Sequence, residues 1–169
     1  RILKEKAMLP SIKSILIATD LSHNASEAFK HAVVLSRSEQ ANIHLLHVIP
    51  EVDAGVRTYV AAVMGEGNLD KFEAAHEVNA RDKIRQAIDE FTRQELANHP
   101  EDLERIVSIE VEHGRPGLRI IETADRLNVD LIVMATHGKG AVEHTLLGSV
   151  TEKVLRMSKR PVYVIPLPD

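Results

Sequence analysis

The sequence predicts an α/β protein, an open parallel sheet with helices on both faces, built as one domain. Three observations carry this. Short aliphatic runs recur along the chain, as expected of strands covered on both faces. Between them lie stretches with apolar residues at helical spacing, and parallel neighbours need such crossovers. The chain of 169 residues is 44% hydrophobic but only 3% aromatic, which implies one domain around a core of Val, Ile, Leu and Ala.

Residues 1–13 read as an extension preceding a domain that spans 14–169. Residues 14–19, Ser-Ile-Leu-Ile-Ala-Thr, form the first strand. Residues 24–38 form a helix with Ala25, Ala28, Phe29, Ala32 and Val33 on one face. The second strand covers residues 43–49 and is stopped by Pro50. Residues 51–70 are a crossover loop or a candidate lid, in which 56–64 have the character of a short apolar helix and Gly65-Glu66-Gly67-Asn68 reads as a turn. A long helix over about residues 71–98 carries Phe72, Ala75, Ile84, Ile88 and Phe91. Residues 106–112 are the third strand. The next helix begins at Pro116, a favoured first-turn residue, and runs through Ile120, Ile121, Ala124 and Leu127. Residues 130–135 and the terminal run from Pro161 to Ile165 complete five strands separated by four helices.

Composition narrows the function. A net charge of −4 and a pI near 6.1 argue against a nucleic-acid partner, which would call for a strongly basic face. Zero cysteines exclude a disulfide scaffold and a thiolate zinc site. No apolar run reaches the length of a membrane span, and the opening Arg1-Ile2-Leu3-Lys4-Glu5-Lys6 lacks the apolar core of a signal peptide. A soluble cytoplasmic protein with no membrane partner is the expectation.

In open parallel sheets, ligands bind beyond the carboxyl ends of the strands. Here those ends are Ala18-Thr19-Asp20, Val48-Ile49-Pro50, His113-Gly114-Arg115 and residues 134–138. Asp20 is the carboxylate best placed for a ribose hydroxyl, an adenine amino group or a phosphate-bound metal, or else it caps the following helix. The fourth end is the most informative. Ala135-Thr136-His137-Gly138 is followed by nine residues and then Gly148-Ser149-Val150-Thr151, so a strand feeds a glycine-containing loop and a new helix. The backbone N–H groups at that helix start, and its positive dipole end, suit a phosphate. Ser149 and Glu152 have capping-box spacing, and the Ser149 and Thr151 hydroxyls are further candidate donors.

Other motifs fail on context. Gly138-Lys139-Gly140 lacks the Gly-Lys-Ser/Thr of a Walker loop, and as a dinucleotide fingerprint its third glycine position is Glu143. Lys139 remains available to neutralise a phosphate, and His137 and His144 flank the same loop. His44 and His47, three apart on a strand, face opposite sides and cannot share one ion. A dedicated metal site is not expected. Magnesium or manganese riding on nucleotide phosphates needs few protein ligands.

Asp20 after the first strand, Val48 in the second, the run Asp130-Leu131-Ile132-Val133-Met134, the segment from Leu146 to Val154 and the closing run from Arg160 to Ile165 together resemble the universal stress protein family, over residues 14–165. The resemblance implies a Rossmann-like sheet of the adenine nucleotide alpha hydrolase type, ordered 3-2-1-4-5, and commonly a homodimer through the last strand, Pro161 to Ile165. The ATP-binding branch of the family uses Gly-x-x-Gly, nine residues, then Gly-Ser or Gly-Thr. Carried onto this chain, the resemblance puts Asp20 beside the nucleoside, next to Ala18 and Thr19, and the Val48 backbone on the adenine edge. Met134 lines the base or ribose pocket, and Gly138, Gly148, Ser149 and Val150 surround the phosphates. Ala135 departs from the pattern, standing where the loop's first glycine is expected. In extended backbone its methyl group is tolerable; at positive φ, or in close contact with the ribose, it costs about 1 kcal/mol or more. Ala18 is likewise small where a proline is often found. The implied function is an ATP-binding or AMP-binding regulatory module of the stress response, with at most slow hydrolysis, whose occupancy changes its dimer surface or the surface for an unidentified protein partner. The alternatives are a dimeric scaffold that binds other proteins without nucleotide, and a genuine ATPase. No nucleophile elbow or Ser-His-Asp set emerges.

Overall fold

A computed structural model describes residues 9–137 and 147–166. The five strands are β1 (Ser14–Ala18), β2 (Asn42–Pro50), β3 (Ile106–Gly114), β4 (Leu131–Ala135) and β5 (Val162–Ile165). The helices are α1 (His23–Glu39), α2 (Ala54–Met64), α3 (Glu66–Glu95), α4 (Pro116–Arg126) and α5 (Ser149–Met157), with a 3-10 segment over Pro100–Arg105. All strand pairs are parallel and the order is β3-β2-β1-β4-β5, as the family resemblance implies.

Alternation along the central strands builds a core on each face. Ile15, Ile17, Ile43, Leu45 and Val133 pack with Ala28, Phe29, Ala32 and Ile88 under α1 and α3. Phe29 and Phe91 meet edge to face at 5.4 Å. Leu16, Leu46, Ile132 and Met134 pack with Ile120, Ala124 and Val154 under α4 and α5. The strand starts are pinned by Asp130, whose Oδ2 accepts the N–H groups of Lys13 (2.8 Å) and Ser14 (3.0 Å).

Several boundaries differ from the sequence expectations. Pro50 is the last residue of β2 rather than its stop, because a proline is tolerated at a strand end where one N–H is dispensable. The stretch 51–70 is mostly helical, so the described residues hold five α-helices where four were expected. The expected four-residue turn contracts to Gly65, whose φ of 82° lets one residue end α2 and start α3. Arg57 on α2 then pairs with Asp70 and Glu73 on α3. At its other end α3 stops at Glu95, short of residue 98. Pro100 disfavours helical backbone at His99, and the chain passes into the 3-10 segment. Within that segment the buried Asp102 accepts from Arg37 of α1 and, at 2.9 Å, from Arg105. Among the described residues, no helix is long and apolar enough to cross a membrane.

Candidate functional site

The carboxyl edge of the sheet is shaped by where β1 leaves it. The Thr19 N–H still bonds the Leu46 carbonyl at 2.9 Å, the last ladder bond between β1 and β2. The chain then turns sharply through Leu21, a non-glycine residue with φ of 59°. Two side chains fold back on this turn. Thr19 Oγ1 accepts the Leu21 N–H (3.1 Å), and Asp20 Oδ1 accepts both the Ser22 N–H (3.0 Å) and the Ser22 hydroxyl. Asp20 therefore braces the turn ahead of α1, while Ser22 occupies the cap position itself.

Past this point, among the described residues, β2 has no further ladder bond on its β1 side. The Leu46 carbonyl faces β1, so by strand alternation Val48 directs its N–H and C=O the same way, beyond the last ladder bond. The side chains of Ala18, Val48 and Val150 pack against the cluster that contains buried Met134. Four expected site residues, from β1, β2, β4 and α5, thus meet on one face.

The fourth strand end meets α5 closely. Ala135 is the last residue of β4, paired with Ile165 in extended backbone, so no glycine is required there and its methyl group carries no conformational cost. The Gly148 N–H donates to the Thr136 carbonyl at 2.8 Å, and a Cβ on Gly148 would lie 3.2 Å from that carbonyl oxygen. Gly148 adopts φ of −70°, so close approach, not positive φ, accounts for glycine here. His137 Nδ1 lies 3.1 Å from Thr136 Oγ1.

Two expectations about α5 are corrected. Gly148 is the cap residue and Ser149 is the first helical residue, so the Ser149–Glu152 pair does not form a capping box. Gly148 has no side chain to cap with, and the helix start presents its first-turn N–H groups as donors. Thr151 is buried and its hydroxyl donates to the Ala135 carbonyl at 3.0 Å, which spends the hydrogen expected to meet a phosphate. What Thr151 supplies instead is the tie between the first turn of α5 and the end of β4. Gly138, Lys139 and His144 lie outside the described residues.

Among the described residues, His99, Glu101 and Asp102 form a group with metal-ligand spacing. It lies ahead of β3, at the opposite end of the sheet from this site, and Asp102 already neutralises two arginines. His44 and His47 separate as expected: Nδ1 of His44 meets Ser108 Oγ at 2.8 Å, whereas Nδ1 of His47 meets the Thr19 carbonyl at 2.9 Å. The His47 contact was not foreseen from sequence, although alternation places residue 47 one step from the end of β1.

Comparison with known proteins agrees with this architecture. The family model described as "Universal stress protein family" matches residues 11–166. Universal stress protein MJ0577 of Methanocaldococcus jannaschii is 32% identical over 156 residues, which cover 90% of this chain and 94% of that protein. Its solved structure superposes with a TM-score of 0.69 at 30% identity, covering 95% of this chain and 99% of the other. UspA from Lactobacillus plantarum gives 0.60 at 25% identity, with 93% and 99% covered. A universal stress protein solved in complex with cAMP gives 0.55 at 19% identity, with 93% and 98% covered, a likeness of fold. The chain belongs to the universal stress protein family.

Proposed function

We propose that this chain is an adenine-nucleotide-binding regulatory module of the stress response, acting in the cytoplasm, with ATP lying across the carboxyl ends of β1, β2 and β4. The observation that carries the reading is a juxtaposition. The Val48 backbone, directed past the end of the β1 ladder, shares one apolar face with the start of α5, whose cap residue Gly148 makes no side-chain hydrogen bond. A purine edge needs a neighbouring donor and acceptor, which one strand residue supplies, and a phosphate needs clustered N–H groups, which a helix start supplies. The base would rest on Ala18, Val48 and Met134, with Asp20 toward the ribose. The phosphates would meet the N–H groups of Ser149, Val150 and Thr151, together with Gly138 and Lys139. Magnesium or manganese would be held chiefly by phosphate oxygens. The cAMP complex of a protein with this fold makes an adenine ligand a natural one to test, with AMP and cAMP as competitors of ATP.

Binding is the activity this arrangement serves. Asp20 is engaged by its own turn through Ser22, so hydrolysis, if assayed, is expected to be slow. The reading of a scaffold without nucleotide drew on Ala135; the extended backbone there meets the conformational part of that argument, and ATP titration decides the rest. A second copy is expected to cover β5, a sheet edge on which Tyr163 is exposed, and sedimentation of the protein with and without ATP tests this. The test of the site is calorimetric titration of ATP, with magnesium, into wild-type protein and a Gly148→Ala, Ser149→Ala double variant. The reading expects micromolar binding that weakens by about tenfold or more, because the variant lacks the Ser149 hydroxyl and a Cβ on Gly148, 3.2 Å from the Thr136 carbonyl oxygen, displaces the N–H groups of the helix start. Equal affinities would remove the phosphate assignment.

A further inference from the structure

The Thr19–Asp20–Leu21 turn is held in a conformation that its own residues do not favour. Leu21 sits at φ of 59°, and a side chain there persists only when surrounding contacts fix it. Two of those contacts are local, from Thr19 Oγ1 and Asp20 Oδ1. The third comes from the neighbouring strand: His47 Nδ1 lies 2.9 Å from the Thr19 carbonyl. A carbonyl only accepts, so Nδ1 carries the hydrogen in this contact.

The position of that carbonyl gives the contact its meaning. In a parallel ladder whose last bond runs from Thr19 N–H to the Leu46 carbonyl, the next bond would join the Thr19 carbonyl to the Val48 N–H. The imidazole of His47 occupies that acceptor instead. We infer that His47 is a positioning residue for the nucleotide site: by taking the Thr19 carbonyl it ends the β1–β2 ladder one step early, which fixes the Asp20 turn and leaves the Val48 backbone to a ligand. The inference deepens the proposed function and rests on that reading for its ligand, while the tether itself stands on the geometry alone.

The experiment uses the full chain in three forms, wild type, His47→Leu and His47→Asn, with ATP as the probe. Leucine removes the donor; the asparagine amide can place an N–H close to where Nδ1 stood. Three readouts are made: the imidazole tautomer of the wild type by 15N–1H correlation, amide exchange at Leu21 and Ser22, and ATP affinity. The expected results are an Nδ1–H tautomer, faster exchange at both amides in the leucine variant, and ATP affinity lowered by about tenfold, the upper range for one hydrogen bond. The asparagine variant is expected to recover most of both effects, which a merely space-filling role would not allow. An Nε2–H tautomer, unchanged exchange in the leucine variant, or an asparagine variant as impaired as leucine would overturn the inference. If wild-type protein bound no ATP, the nucleotide reading would fail by itself. The tautomer and the exchange rates would then still decide whether His47 holds the turn.

Discussion

Thr151→Val removes one hydroxyl and keeps nearly the same shape, which makes it a sensitive probe of how α5 is attached. In the wild type the buried hydroxyl donates to the Ala135 carbonyl at 3.0 Å. Valine leaves that carbonyl without this donor in a half-buried place, at a cost of about 1–2 kcal/mol. For a domain of this size each kcal/mol moves the melting midpoint by about 2–4 °C, so a fall of about 2–8 °C is expected. The first turn of α5, no longer tied to the end of β4, presents its N–H groups less accurately, and ATP affinity should fall by about tenfold. Thr151→Ser keeps the donor and loses a methyl group, worth about 0.8 kcal/mol of stability. Differential scanning calorimetry and ATP titration on both variants separate the effects. Stability should fall in both, and affinity mainly in valine. Wild-type affinity in Thr151→Val, or equal losses of affinity in both, would refute the reasoning.

Other consequences follow from the same geometry. Gly148→Ala places a methyl carbon about 3.2 Å from the Thr136 carbonyl oxygen, so α5 must shift by a few tenths of an ångström; ATP titration should show weaker binding with the melting midpoint lowered by only a few degrees, about 1 kcal/mol. Asp102, beside Arg37 and Arg105, has its carboxyl pKa held below the ordinary value, so it stabilises the fold above pH 4 or so and that contribution is lost as pH falls through the lowered value. Acid melts of Asp102→Asn should show a lower plateau near neutrality and a flatter decline below pH 4. Burial pushes the His44 pKa below its usual 6.5, so the unfolded chain takes up the proton first. Its contribution is present above pH 6.5 and lost as pH falls toward the lowered value; in His44→Asn the slope of the midpoint between pH 7 and 5 should diminish.

The strands were legible because burial on both faces leaves aliphatic runs, and the strand-end rule then pointed to the candidate site before any motif was considered. Ala135 shows the limit of motif reading: a glycine in a family pattern marks a conformation only if the backbone there needs it, and β4 does not. The boundary at Gly65 was misread because Glu66, Gly67 and Asn68 look like turn residues, whereas the pairing of Arg57 with Asp70 and Glu73 stabilises helix on both sides. Ser149 looked like a cap because capping-box spacing is local, while the true cap is set by the approach of Gly148 to Thr136 across the sheet edge. The Asp102 contact with Arg37, 65 residues away, and the bond from His47 to Thr19, 28 residues away, are tertiary and leave no local signature.

The central claim is that the edge formed by Asp20, Val48 and the start of α5 holds an adenine nucleotide. Freshly purified protein should be denatured and any released small molecule identified by mass spectrometry, and the stripped protein then titrated with ATP and magnesium. The account predicts adenine nucleotide released at up to one per chain, or micromolar one-to-one binding by the stripped protein. Protein that carries no nucleotide and takes up none would contradict it.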